Sequence, residues 1–147
     1  MSQAPRLFVY RCLAALRGAE PLPVDQRITA LARAGRAFSG EVIDGLTAEE
    51  YHHYVSRLAG LPITIVRAAG EGIAGAAAEA YHSALRGMPR AAVADWEDPQ
   101  TRRGSAVWTR RGDVLAVQAA GNHPGVHALW LAAVALGFRV AVRPSRR

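Results

Sequence analysis

Apolar positions recur at helical spacing through the first 86 residues and then change to short, unbroken runs. Leu7, Tyr10, Leu13 or Ala14, and Leu16 fall along one side of residues 5–18, and Gly18, Pro21 and Pro23 follow, which predicts a first helix there. Val24, Ile28, Leu31 and Ala32 predict a second helix over 24–37, and the segment SGEVIDG at 39–45 reads as a loop or short strand. Thr47 and Glu50 have capping-box spacing: the hydroxyl accepts from the third backbone N–H and the carboxylate reaches back. The helix this box opens carries Tyr51, Tyr54, Val55 and Leu58 on one face, and Gly60 suits its C-terminal end. Pro62 fits the first turn of a fourth helix, over about 62–86. Its face of small and apolar residues comprises Val66, Ala69 or Gly70, Ile73, Ala77, Ala80 and Leu85. Glycines at 70, 72 and 75 weaken the helical pattern in its middle.

After Gly87 and Pro89 the period changes. Residues 88–104 read as a linker, and the segment SAVWTRRGDVLAVQAAG gives two strand-like pieces separated by a bend at Arg111, Gly112 and Asp113. Val114–Ala119 is apolar and partly β-branched, the pattern of a buried strand. Pro124 sits where the first turn of a helix belongs, and Val126, Leu129, Trp130, Ala133 and Val134 extend that helix to Leu136. Gly137 ends it, and Phe138–Val142 is a second strand. The expected fold class is α/β: N-terminal helices followed by the first strands of a doubly wound, Rossmann-like sheet, incomplete because a parallel sheet needs more chain than follows. The expected division is a helical region and linker at 1–104, then the start of a dinucleotide-binding βαβ region at 105–147. Such a unit sets a polar turn at the carboxyl end of a strand, where open α/β sheets bind ligands.

Half of the residues are hydrophobic, as in a globular domain, and no apolar run is long enough to predict a membrane span. The apolar stretch near the N-terminus is interrupted by Arg11 and lacks a clear cleavage site, so it reads as an amphipathic helix rather than a signal peptide. All 18 basic residues are arginine, beside many Ala and Gly, the mark of a biased composition. The net charge of +6 raises nucleic acid as a partner, but the arginines are scattered singly or in pairs without an aromatic platform or binding motif. A basic nucleic-acid-binding domain is therefore the weakest alternative. Cys12 is the sole cysteine, which allows no internal disulfide and fits a cytoplasmic protein, and its helical setting reads as packing.

The segment GDVLAVQAAGNHPGVHALWLAAVALGFRVAVRPSRR resembles the start of the cofactor-binding domain of the aldehyde dehydrogenase superfamily. That family has a strand, a turn ending in asparagine and often proline, a helix, and a strand ending in a Lys-Pro-Ser-Glu-like motif. Asn122 matches the asparagine, and Arg143-Pro144-Ser145-Arg146 matches the strand-end motif. The wording Gly-Asn-His-Pro-Gly-Val-His is similar to a branch associated with phenazine-type antibiotic biosynthesis, and also to acyl-CoA reductases. The resemblance implies an oxidoreductase that acts on an aldehyde or activated acyl group with NADP or NAD. Asn122 would donate its amide to the oxyanion formed when a thiolate adds to a carbonyl. Gln118, Ala119 and Ala120 would run beside the nicotinamide end, and Arg143, Ser145 and Arg146 would lie at the adenosine ribose. Arg146 stands where the family has glutamate, which favours a 2′-phosphate and hence NADP.

The family's nucleophilic cysteine, general-base glutamate and pyrophosphate-binding turn all lie beyond the matching segment. The resemblance therefore implies an N-terminal fragment that is inactive alone and forms a homo-oligomer or needs a partner chain. A different class remains open, a non-catalytic interaction module or half of a split enzyme. His123 and His127 have the four-residue spacing of a zinc pair, but no third ligand is evident, so no metal is expected and the pair reads as packing or positioning near the cofactor. Trp108 and Trp130 read as packing residues, a tryptophan near the cofactor pocket being also able to line a substrate tunnel. His52, His53 and His82 read as helix-surface residues. The glycines at 70, 72 and 75 match a dinucleotide-binding spacing but lie in a helix pattern with no preceding strand.

Overall fold

The computed structural model describes residues 4–89, 92–93, 106–121 and 123–145. Four helices come first: α1 (Arg6–Gly18), α2 (Val24–Gly40), α3 (Ala48–Ala59) and α4 (Ile63–Arg86). Two short strands, β1 (Ala92–Val93) and β2 (Ala106–Val107), pair in parallel. Strand β3 (Val114–Gln118), a 3-10 helix (Pro124–Trp130), helix α5 (Leu131–Ala135) and strand β4 (Arg139–Arg143) complete the order. The fold is mixed α/β, with two small parallel sheets among the described residues. No described helix is long and apolar enough to cross a membrane.

Local chemistry accounts for most of the helix ends. At α3 both halves of the capping box form: Glu50 N–H donates to Thr47 Oγ1 at 3.2 Å, and Thr47 N–H donates to Glu50 Oε2 at 2.9 Å. Those bonds hold the Glu50 carboxyl below its ordinary range, the backbone bond from Thr47 first. Gly60 closes the helix in the left-handed region at φ 68°, open to glycine at little cost. Helix α2 runs to Gly40, past its expected end at 37, and in its last turn the Ser39 hydroxyl donates to the carbonyls of Gly35 and Arg36. The 39–45 loop reduces to one antiparallel bridge, Ile43 with Leu46, around Asp44 and Gly45 at positive φ.

Helix α4 is continuous through its three glycines. Gly70 is buried against α3, and a Cβ there would come within 2.4 Å of His52 Nε2. The missing side chain thus makes a seat for the His52 ring, whose side chain is only 12% exposed, so the expected surface position of His52 is corrected. Its Nδ1 is buried without a hydrogen-bond partner, 3.8 Å from Glu49 Oε2. His53 and His82 are exposed, as expected.

The Glu49 carboxylate also pairs with Arg67 across the α3–α4 junction and with His53 Nε2 at 3.0 Å. The Arg67 hydrogen bond is the main reason its carboxyl falls to about 2. A lowered folded-state value means that the pair's contribution is fully present above about pH 4.5 and is lost as pH falls toward 2. Melting temperatures of Glu49→Gln and the parent are therefore expected to differ by a constant, small amount above pH 5 and to converge toward pH 2. A difference that grows as the pH falls would contradict this assignment. The group is exposed and the effect is screened by salt.

One core cluster joins α2, α4 and α5: Leu31, Ile73, Ala77, Ala80, Leu131 and Ala135 are buried together, with Phe38, Tyr81, Trp130 and Val134 packed against them. The cluster draws on both sides of residue 104. Helix α1 buries no residue fully and lies against β4 and β3. The Arg139 guanidinium fastens its end by donating to the Ala19 carbonyl at 2.6 and 3.2 Å. Cys12 is a half-buried free thiol.

Strands β3 and β4 pair in parallel from Val114 with Arg139 to Gln118 with Arg143, each within a residue of its expected span. The crossover starts as a 3-10 helix and becomes α-helical only from Leu131, where a plain helix was expected. Pro124 has no N–H, and the Gly125 N–H donates to His123 Nδ1 at 3.0 Å. Pro124 thus needs no acceptor at the first position, and His123 caps the otherwise free Gly125 N–H. Most of the expected linker at 88–104 lies outside the described residues, and its described part includes β1.

Candidate functional site

The register of the β3–β4 pair brings both strand ends out at one level. Ala119 N–H donates to the Arg143 carbonyl at 3.0 Å and carries the ladder one residue beyond β3. Pro144 then ends pairing on the other strand, since it offers no donor. The turn after β3 and the exit from β4 therefore face the same space. It is a cleft of about 280 Å³ lined by Ala119, Ala120 and Gly121, by His123, Pro124 and His127 at the start of the crossover, and by Pro144 and Ser145. The apolar face of α3 makes the opposite wall through Tyr51, Tyr54, Val55 and Leu58.

Polar groups in the cleft are few and held in place. His123 Nδ1 accepts from Gly125 N–H at 3.0 Å, and His127 Nδ1 accepts from Trp130 Nε1–H at 3.4 Å. An imidazole that accepts at Nδ1 carries its proton on Nε2 when neutral, so both rings are Nε2–H donors in this arrangement. The Tyr51 phenol is half-buried and packs edge-on to Phe38 at 5.5 Å; burial pushes its pKa up, keeping it neutral. No group of three His, Cys, Asp or Glu side chains that could hold a metal occurs among the described residues.

Two further hollows adjoin the cleft. One, of about 370 Å³, runs along β3 and is lined by Leu115, Val117, Gln118, Val126, Leu129 and Trp130, and it shares Ala119 and Ala120 with the cleft. The other is an apolar pocket of about 230 Å³ between α2, α4 and the crossover, lined by Leu31, Phe38, Ile73, Ala77, Trp130 and Leu131. His127 lines both this pocket and the cleft.

Of the residues the sequence singled out, Ala119, Ala120 and Ser145 meet in the cleft. Gln118 is exposed and lines the β3 hollow instead, while Arg143 is its exposed partner in the ladder. Asn122 and Arg146 lie outside the described residues. The α3 wall was not expected: helical spacing places Tyr51, Tyr54, Val55 and Leu58 on one face but does not show what that face meets. The available signal was a stripe that carries two phenol hydroxyls, since a purely buried face is more often aliphatic. The Gly70, Gly72 and Gly75 spacing lies wholly within α4.

No family model, curated protein or solved structure matches this chain.

Proposed function

We propose that the cleft at the ends of β3 and β4 is one end of a cofactor site in an aldehyde-dehydrogenase-like oxidoreductase, with β3, the crossover and β4 as the start of a doubly wound, Rossmann-like sheet. The flush carboxyl ends of two parallel strands, opening onto a shared cleft, are the observation that carries this reading. Ligand pockets commonly measure about 300–1,000 Å³. At about 280 Å³ the cleft suits one end of NADP or NAD, not a whole dinucleotide. When bound, the nicotinamide supplies hydride acceptor or donor chemistry.

The chain's own residues have separate parts in this reading. Ala119 and Ala120 are small enough to let a flat ring lie against the strand end, and Ser145 brings a hydroxyl to the same cleft. His123 and His127 are held by their Nδ1 contacts at the mouth of the crossover and line the same cleft. The Asn122 amide is the proposed donor to the oxyanion that forms when a cysteine thiolate adds to the carbonyl. Cys12 lies on α1 and does not line the cleft, so in this reading the thiolate and its general base would come from elsewhere in the working enzyme. The 230 Å³ pocket beyond His127, apolar on nearly every side, suits the hydrocarbon part of an aldehyde or acyl substrate.

A thermal melt with and without each nucleotide tests the proposal. Ligand at a hundredfold excess over Kd adds about 2.7 kcal/mol to stability. NADP is expected to raise the midpoint more than NAD, and Arg146→Glu to reverse that order. A cooperative transition unmoved by either nucleotide would reject the cofactor site.

A second reading, an interaction module or half of a split enzyme, has its own support. Leu7, Phe8, Val9 and Tyr10 on α1 are all exposed, and β3 has no second strand neighbour among the described residues. Both features suit a surface that another chain covers.

A further inference from the structure

At the amino end of β3, about 20 Å along the strand from the cleft, a second recess of about 380 Å³ opens between α2, α4 and the approach to β3. Two arginines from distant parts of the chain meet there. Arg27 donates from Nε to the Ala135 carbonyl at 3.1 Å and from Nη1 to the Leu22 carbonyl. Arg110 donates from Nη1 to the Gly137 carbonyl, its guanidinium 5.7 Å from the centre of the Phe138 ring. Both guanidiniums lie within 3.4 Å of the space a Cβ at Gly137 would fill.

Capping the carbonyls at the end of α5 explains one donor from each arginine, but not why two like charges are brought together. Neither has a carboxylate partner within salt-bridge distance among the described residues. Each guanidinium has several N–H donors, and the two together engage three on these carbonyls. Both arginines line a recess whose other walls include Tyr81 and Trp108, the latter 41% exposed. Asp113 also lines it, so the charged side chains together leave a single net positive charge.

We propose that this recess binds a planar monoanion, an aromatic carboxylate, with the carboxylate on the unengaged donors of Arg27 and Arg110 and the ring against Trp108 and Tyr81. A forked guanidinium suits a carboxylate geometrically, and two of them suit it better than the point charge of an ammonium. Aromatic walls favour a ring over an aliphatic chain of equal size. Asp113 disfavours a second negative charge in the same space. The proposal stands apart from the cofactor reading, because it uses none of the residues of the cleft at the strand ends.

The test is a titration of the isotopically labelled full chain with sodium benzoate, followed by the indole N–H resonance of Trp108 and the arginine Nε–H resonances, at constant ionic strength. Saturable shifts at Trp108, Arg27 and Arg110 are expected, whereas inorganic phosphate over the same range produces no saturable shift. Arg110→Gln is expected to weaken benzoate binding by about tenfold or more. Arg110→Lys, which keeps the charge and loses the fork, should weaken it too and guards against a folding artefact in the first variant. Trp108→Leu should weaken benzoate binding as well. Shifts that grow linearly and spread over all arginines, equal responses to phosphate and benzoate, or binding indifferent to Arg110→Lys and Arg110→Gln would each overturn the proposal.

Discussion

Gly35→Val is expected to lower folding stability by about 2–3 kcal/mol. Gly35 is buried where α2 crosses α4. A Cβ there would come within 2.9 Å of the Ala74 carbonyl oxygen, 2.9 Å of Ala77 Cβ and 3.3 Å of Ala74 Cα. Two of those three atoms are backbone, which yields only if α4 itself shifts. Ala77 belongs to the cluster with Leu31, Ile73 and Leu131, so pushing the helices apart loosens the shared core. Gly72→Ala is the matched control. That position is exposed and a Cβ there meets nothing within 4 Å. Its gain in helix propensity, up to about 1 kcal/mol, should appear undiminished. Urea unfolding followed by far-UV circular dichroism measures both. A Gly35→Val protein as stable as the parent would mean that the two helices do not approach this closely.

The second large effect concerns association. The purified chain is expected to sediment as species heavier than its 15.7 kDa monomer, and the double variant Ala116→Lys with Leu129→Glu to return it to the monomer. Strand β3 pairs only with β4 among the described residues, so its other edge offers unpaired backbone groups. Beside that edge runs the hollow lined by Leu115, Val117, Val126 and Trp130. Leu129 stands on its rim with 83% of its surface exposed. An open edge and an apolar wall together invite a second strand. Both substitutions are at exposed positions, so they add charge where no core contact is lost. Sedimentation velocity over a range of concentrations decides the matter. A parent chain that stays monomeric throughout, or a double variant that associates as strongly, would remove the edge as the cause.

The helical half of the molecule was legible because its signals are local. The Thr47 and Glu50 pair, Gly60 and the spacing of apolar residues all act within a few positions of the helix end they determine. Strands β3 and β4 were legible within one residue for a similar reason: each is a short β-branched run bounded by glycine or proline. What was not legible depends on partners far along the chain. His52 looks like a surface residue until Gly70, eighteen positions later, is known to lie beneath it. The pairing of Ala92–Val93 with Ala106–Val107 rests on two residues from each side, too few for a periodicity to emerge. The α3 wall of the cleft and the meeting of Arg27 with Arg110 likewise arise only when separate elements pack. At the proposed cofactor cleft, Ala119, Ala120 and Ser145 were singled out by the family resemblance alone, while Tyr51 and Tyr54 came from a pattern that says only which face is apolar.

The winding of the crossover has a mechanical consequence. Seven residues, Pro124–Trp130, are wound as a 3-10 helix, beyond the usual three or four. A 3-10 helix rises about 2.0 Å per residue and an α-helix about 1.5 Å, so rewinding this segment would shorten it by about 3.5 Å. Helix α5 is anchored in the core through Leu131 and Ala135, so the free end of that stroke is the His123 end. Any such rewinding would therefore change the distance between His123 and the Pro144–Ser145 rim across the cleft.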